Sequence, residues 1–164
     1  MRVVVHPKYR TIGLGQRLVR ETLLGAGTPF VELIAVMAKY NPFAERAGMT
    51  KIAEQPPAEK ALKIAETLRE LGFNVTFLGS KRYVLKKLGS LKPEDLKKVR
   101  EAFKENVYPR FMKEFFYHKP YGKAKLFKEK VDNADLKKLV KLIKIVGLLL
   151  QTKVYLFWSA RMHA

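Results

Sequence analysis

Gly13 and Gly15 stand in the stretch of this chain whose residue types and spacing best suit chemistry. An apolar run, Val3-Val4-Val5, leads into His6-Pro7-Lys8-Tyr9-Arg10-Thr11-Ile12-Gly13-Leu14-Gly15 and then Gln16-Arg17-Leu18-Val19-Arg20-Glu21-Thr22-Leu23. That order predicts strand, tight turn and helix, with Leu14, Leu18, Val19 and Leu23 forming an apolar stripe near helical spacing. Such a turn aims several backbone N–H groups at one point, with the positive end of a helix dipole behind them. The combination suits a phosphate or pyrophosphate. Glycines at both positions let a ligand approach the backbone where a Cβ would obstruct it. The same Gly-x-Gly spacing also serves an ordinary strand-to-helix turn, so these residues alone leave both roles open.

The order of the residues adds a resemblance. Arg10-Thr11-Ile12-Gly13-Leu14-Gly15 reads Arg-x-x-Gly-x-Gly and resembles the acetyl-CoA pyrophosphate loop of the GNAT N-acetyltransferases. A second segment is similar to the family's next strand and helix: Phe30-Val31-Glu32-Leu33-Ile34-Ala35-Val36, then Asn41-Pro42-Phe43-Ala44-Glu45-Arg46-Ala47-Gly48-Met49. Around Ala38-Lys39-Tyr40-Asn41-Pro42 the wording looks closest to a predicted acetyltransferase domain that archaeal proteins carry fused to an ABC-type ATPase. The resemblance covers roughly the first third of the chain.

It implies acetyl-CoA as cofactor and an amine as acceptor. The loop Arg10, Thr11, Ile12, Gly13, Leu14 and Gly15 would hold the pyrophosphate. The strand Arg2–Val5 would run parallel to Val31–Val36, with the pantetheine arm between them. A backbone N–H near Val4 or Val5 would polarise the thioester carbonyl, and Asn41 would contact the cofactor arm. Where the family often places a tyrosine acid this chain has Ala44, which leaves Tyr40 as the substitute acid and Glu32 as the candidate base. Because the sequence begins just before the first of these strands, it is expected to form the back half of such a domain. An ABC-type ATPase domain or a second subunit would then be a partner. No Gly-x-x-x-x-Gly-Lys-Ser/Thr loop is present in the chain itself.

Composition bounds the rest. At 164 residues and 48% hydrophobic, the chain can bury one real core. The absence of cysteine excludes disulfides, thiolate metal sites and cysteine nucleophiles. His6, His118 and His163 have no ligand spacing, so no metal site is expected. No charged segment followed by an apolar one opens the chain, which predicts a cytoplasmic protein. Few Asn and Gln, no Cys and abundant Lys fit a thermophilic source. Lys plus Arg number 33 against 15 acids, a net charge of +18. Residues 1–58 account for +4 of it and residues 59–164 for +14. A shift that large near Gln55-Pro56-Pro57 predicts a boundary, with a basic α+β extension over 56–164 packed on the same core as residues 1–55.

Within the extension, Glu59–Leu71 reads as a helix stopped by Gly72. Asn74–Leu78 and Arg82–Leu85 read as two strands joined around Gly79-Ser80, a hairpin that would extend the first sheet. Pro93 suits the first turn of a helix whose stripe runs through Leu96, Val99, Phe103, Val107, Phe111 and Phe115, kinked or split by Pro109. A further helix starts near Asp132 or Asn133 and runs to about Leu150, and Thr152–Trp158 reads as a last strand. The apolar stretch Ile143–Leu150 is too short to span a bilayer. Its flanking lysines fit a core helix, with a membrane-surface helix as the other reading. The fold class that follows is α/β: a partial GNAT-like mixed sheet with helices, then a helix-rich basic extension.

A second chemistry is carried by the segment 118–130, which interleaves aromatic and basic side chains. Lys119, Lys123, Lys125 and Lys128 would neutralise phosphates of RNA or DNA, and Tyr121 and Phe127 would stack on unpaired bases. Two functions therefore compete: acetyl transfer to an amine, or a basic module that docks on nucleic acid or a partner without catalysis.

Overall fold

Gly13 adopts a left-handed conformation (φ 83°) and turns the chain into α1 (Leu14–Leu24). The structure is a computed structural model, and it describes residues 5, 6, 8, 12–117 and 122–160. Among them the chain forms seven helices and a three-stranded antiparallel sheet. It divides into two compact units. One takes the residues up to Pro56 together with those from Thr152 onward, and the other spans Pro57–Gln151.

In the first unit, α1 is followed by β1 (Phe30–Ala35), a 3-10 turn (Met37–Lys39) and β2 (Thr50–Gln55). The last strand, β3 (Lys153–Ser159), lies between β1 and β2 and pairs antiparallel with both. The register sets Leu33 opposite Leu156 and Ala35 opposite Val154. Val154, Leu156 and Trp158 alternate along β3 and are buried, as the central strand of a one-faced sheet requires. Val19 and Leu23 of α1 pack on that face with Leu33, Ala44, Ala47 and Met49. Each large apolar side chain removed from water here contributes about 1.5–3 kcal/mol.

The second unit is helical. Its elements are α2 (Glu59–Glu70), a 3-10 turn (Val75–Phe77), α3 (Lys81–Gly89), α4 (Pro93–Glu105), α5 (Pro109–Met112), α6 (Ala124–Asp132) and α7 (Leu136–Leu149). Gly72 (φ 77°) ends α2, and Phe73 N–H donates to the Leu68 carbonyl at 2.9 Å. Pro93 and Pro109 each open a helix, so the long aromatic stripe is split as its proline predicts. Asp135 caps α7 by accepting from Lys138 N–H at 2.7 Å. Ile64, Leu68, Phe103, Phe111, Leu139 and Ile143 lie in this unit's own apolar cluster.

Several expectations are corrected. The hairpin expected over 74–85 is a 3-10 turn followed by α3. Asn74 accepts from Thr76 N–H at 3.0 Å and Ser80 from Tyr83 N–H at 3.3 Å, so both side chains start helical turns instead of strands. Val84 and Leu88, four residues apart, then reach the core together. The helix expected after Asn41 is a run of turns over 43–48, closed by Met49 N–H on the Ala44 carbonyl at 3.1 Å. Two elements, β2 and α6, were not foreseen. β2 is exposed at every position, so it lacks the alternation that marks a strand. The expected strand Arg2–Val5 falls outside the described residues except for Val5, which belongs to no strand.

Candidate functional site

The Gly13 turn puts a left-handed glycine directly ahead of the N-terminus of α1. The first amides of an α-helix have no partner within the helix. Arg17 N–H is the first to bond back, donating to the Gly13 carbonyl at 3.1 Å. No acidic residue lies in the first turn of α1, so nothing on the helix itself offsets the positive end of the dipole. Gly13 is required by its backbone: at φ 83° an L side chain is strained, although space around it is open. Gly15 is different. A Cβ there would meet Phe43 Cδ2 at 3.8 Å and Val5 Cγ2 at 3.9 Å, both ordinary contacts.

Two donors fix α1 against the turn at 43–48. Gln16 Nε2 and Arg20 Nη2 both donate to the Arg46 carbonyl, at 2.9 and 3.0 Å. Arg17 instead pairs with Glu21 at 2.7 Å, and the carboxylate holds its guanidinium above the ordinary range. The structure thus gathers Val5, Gly13, Gly15 and Phe43. Ile12 is exposed, Leu14 is half-buried, and Asn41 is exposed at the start of the turn. Val4, Arg10 and Thr11 lie outside the described residues.

The two expected catalytic side chains are not brought to one point with that turn. Leu33 faces α1, so its neighbour Glu32 projects from the opposite, exposed face of the sheet. There the Glu32 carboxylate faces the Tyr155 phenol and holds it above its usual pKa, with burial adding to the effect. Tyr40 is 75% exposed, just after the 3-10 turn. Tyr155 was missed by sequence reasoning because its relation to Glu32 depends on strand pairing between distant segments. A shallow groove of 520 Å³ lies beside it, lined by Ile34, Ala53, Gln55, Lys153 and Tyr155 among others.

In the basic segment the structure corrects one aromatic. Phe127 is fully buried and meets Phe115 edge-to-face at 5.5 Å, so its ring is unavailable for stacking on a base. Its burial follows from α6, whose Phe127 and Val131 share the inward face. Lys123 lies over the Phe116 ring at 5.1 Å, while Lys125 and Lys128 are exposed on α6. Lys119 and Tyr121 fall outside the described residues. Among the described residues no cluster of three potential metal ligands occurs, and no helix is long and apolar enough to cross a membrane.

No protein-family model matches the chain, and no curated protein or solved structure matches it either.

Proposed function

We propose that the first unit binds acetyl-CoA through its pyrophosphate and transfers the acetyl group to an amine. The observation that carries this reading is the left-handed Gly13 directly ahead of an 11-residue helix with no acid in its first turn. That turn aims its leading amides outward with the dipole behind them, as a diphosphate requires. The GNAT resemblance of Arg10–Gly15 and of the segment 30–49 supplies the chemistry. An acceptor amine attacks the thioester carbonyl carbon, the new C–N bond forms, and the C–S bond breaks. The proton lost by the amine ends on the departing thiolate. Glu32 projects from the opposite face of the sheet and Tyr40 stands exposed after the 3-10 turn, so neither is assigned to these proton transfers.

Calorimetric titration with acetyl-CoA tests the reading against two variants at one position. The parent chain should bind in the micromolar range, and Gly15→Ala, which fits the protein's own packing but sets a Cβ where the ligand approaches, should bind more weakly than the parent and more tightly than Gly15→Glu. Gly15→Glu places an anion where the pyrophosphate would lie, yet favours the helix through its dipole. It should weaken binding at least tenfold without lowering stability. No heat from the parent chain overturns the reading.

A further inference from the structure

We propose that α3 and α7 together form a phosphate-binding face for nucleic acid. The second unit holds 23 basic and 11 acidic residues over 57–151, but the two signs are not evenly mixed. No acidic residue occurs between Glu70 and Glu94, and none follows Asp135. These two acid-free segments are far apart in the chain, and the fold joins them: α3 packs on α7.

Several cations of the pair are already engaged. Lys87 Nζ lies beside Gly72 at the end of α2, 3.6 Å from where a Cβ would stand. Lys138 covers the Phe115 ring at 5.0 Å, and Lys141 is 4.0 Å from Glu114. Lys81, Arg82 and Lys86 on α3, with Lys137 and Lys144 on α7, have no acidic partner among the described residues. Lys137 and Lys144 stand two turns apart, about 10 Å along α7. A single nucleic-acid strand presents about three phosphates over that length.

The arrangement is unfavourable to the isolated fold. Lys81 and Arg82 occupy the first turn of α3, where the dipole repels cations, and Arg82 and Lys86 are like charges four residues apart. Burial of Val84 and Leu88 and the Ser80 cap hold the helix against this repulsion. A polyanion removes it. A lipid surface fits less well, because most of the apolar side chains of both helices are spent in the core: Val84, Leu88, Leu139, Ile143 and Val146 are buried, and only the separate leucines Leu85, Leu136 and Leu148 are left exposed. Interfacial helices need an apolar face for the membrane.

The test is anisotropy of the full chain with labelled single-stranded RNA and labelled duplex DNA across a salt series. Five phosphate contacts give a log–log salt slope of about −3.5 on a single strand, or roughly 100-fold weaker binding between about 50 and 200 mM salt. The double variants Arg82→Gln/Lys86→Gln and Lys137→Gln/Lys144→Gln should each flatten the slope by about 1.4. Lys125→Gln/Lys128→Gln on α6 should leave it unchanged. The proposal is overturned by no binding to either nucleic acid, by a slope that only the α6 variant alters, or by binding confined to vesicles containing phosphatidylserine.

Discussion

Gly147 lies in the last turn of α7, where a glycine weakens the helix by up to about 1 kcal/mol relative to alanine. The reason for it is contact. A Cβ there would stand 3.1 Å from Leu78 Cβ and 3.3 Å from the Gly79 backbone nitrogen. Leu78 is fully buried, so neither neighbour can withdraw. Gly147→Ala should therefore lose about 1–2 kcal/mol in urea denaturation despite its better helix propensity. Glu54 and Tyr155 make statements about pH. Lys51, at 2.7 Å, and Lys39, at 3.3 Å, hold the Glu54 carboxyl below the ordinary range. Its stabilising contribution is present above the ordinary carboxylate pKa and disappears as pH falls through the lower folded value. In an NMR titration Lys51→Met should move the Glu54 midpoint upward. Tyr155 runs the other way: the neighbouring Glu32 carboxylate raises it, so that contribution is lost as pH rises through the folded value. Glu32→Gln should bring the Tyr155 midpoint down, and an unchanged midpoint would show that the pairing does not exist in solution.

Helix ends govern the elements. Arg100 Nη1 on α4 donates to the Val131 carbonyl at 2.6 Å and the Asp132 carbonyl at 2.9 Å, satisfying the last turn of α6 with a cation. Lys104 reinforces the same end through Asp132 at 2.9 Å while also holding Glu101 at 3.0 Å. Arg100→Met keeps much of the apolar stem and removes both donated bonds. A loss of about 1–3 kcal/mol is expected, with amide exchange accelerating first in α6. The Lys104 pair is more exposed and should matter less. The same logic explains why α3 is a helix. The β-branched and aromatic residues of the 3-10 turn before it, Val75, Thr76 and Phe77, and its own Tyr83 and Val84 favour strands locally. Two side-chain caps and one buried face outweigh that preference, and the Tyr83 hydroxyl accepts from Asn74 N–H at 2.6 Å across the intervening loop.

For the molecule as a whole, the decisive fact is that β3 leaves the helical unit and completes the sheet of the other. Each unit has its own apolar cluster, and Leu156 is fully buried at the centre of the sheet. Leu156→Asp loses the buried apolar side chain and puts an unpaired charge in its place, a cost of at least about 3–5 kcal/mol. Hydrogen exchange should then show protection lost in α1 and β1–β3 and kept in α2, α4 and α7. Uniform loss throughout the chain would mean that the two units fold as one.

The sequence by itself determined the features that local chemistry decides. Glycine at 13 and 72, proline at 93 and 109, and the apolar periods of α1, α2, α4 and α7 mark those elements without reference to distant residues. The alternation in β1 and β3 is equally local, and the excess of lysine is visible from composition alone. Of the candidate site, the Gly13 turn was legible for the same reason: its backbone angle and the following helix arise within a few residues. Tertiary structure decided what depends on contacts between distant segments. Such contacts put β3 between β1 and β2, set Glu32 beside Tyr155, bury Phe127 and bring two acid-free segments side by side. No window of sequence contains both partners of any of these contacts, and burial against a partner can outweigh the local preference of either segment.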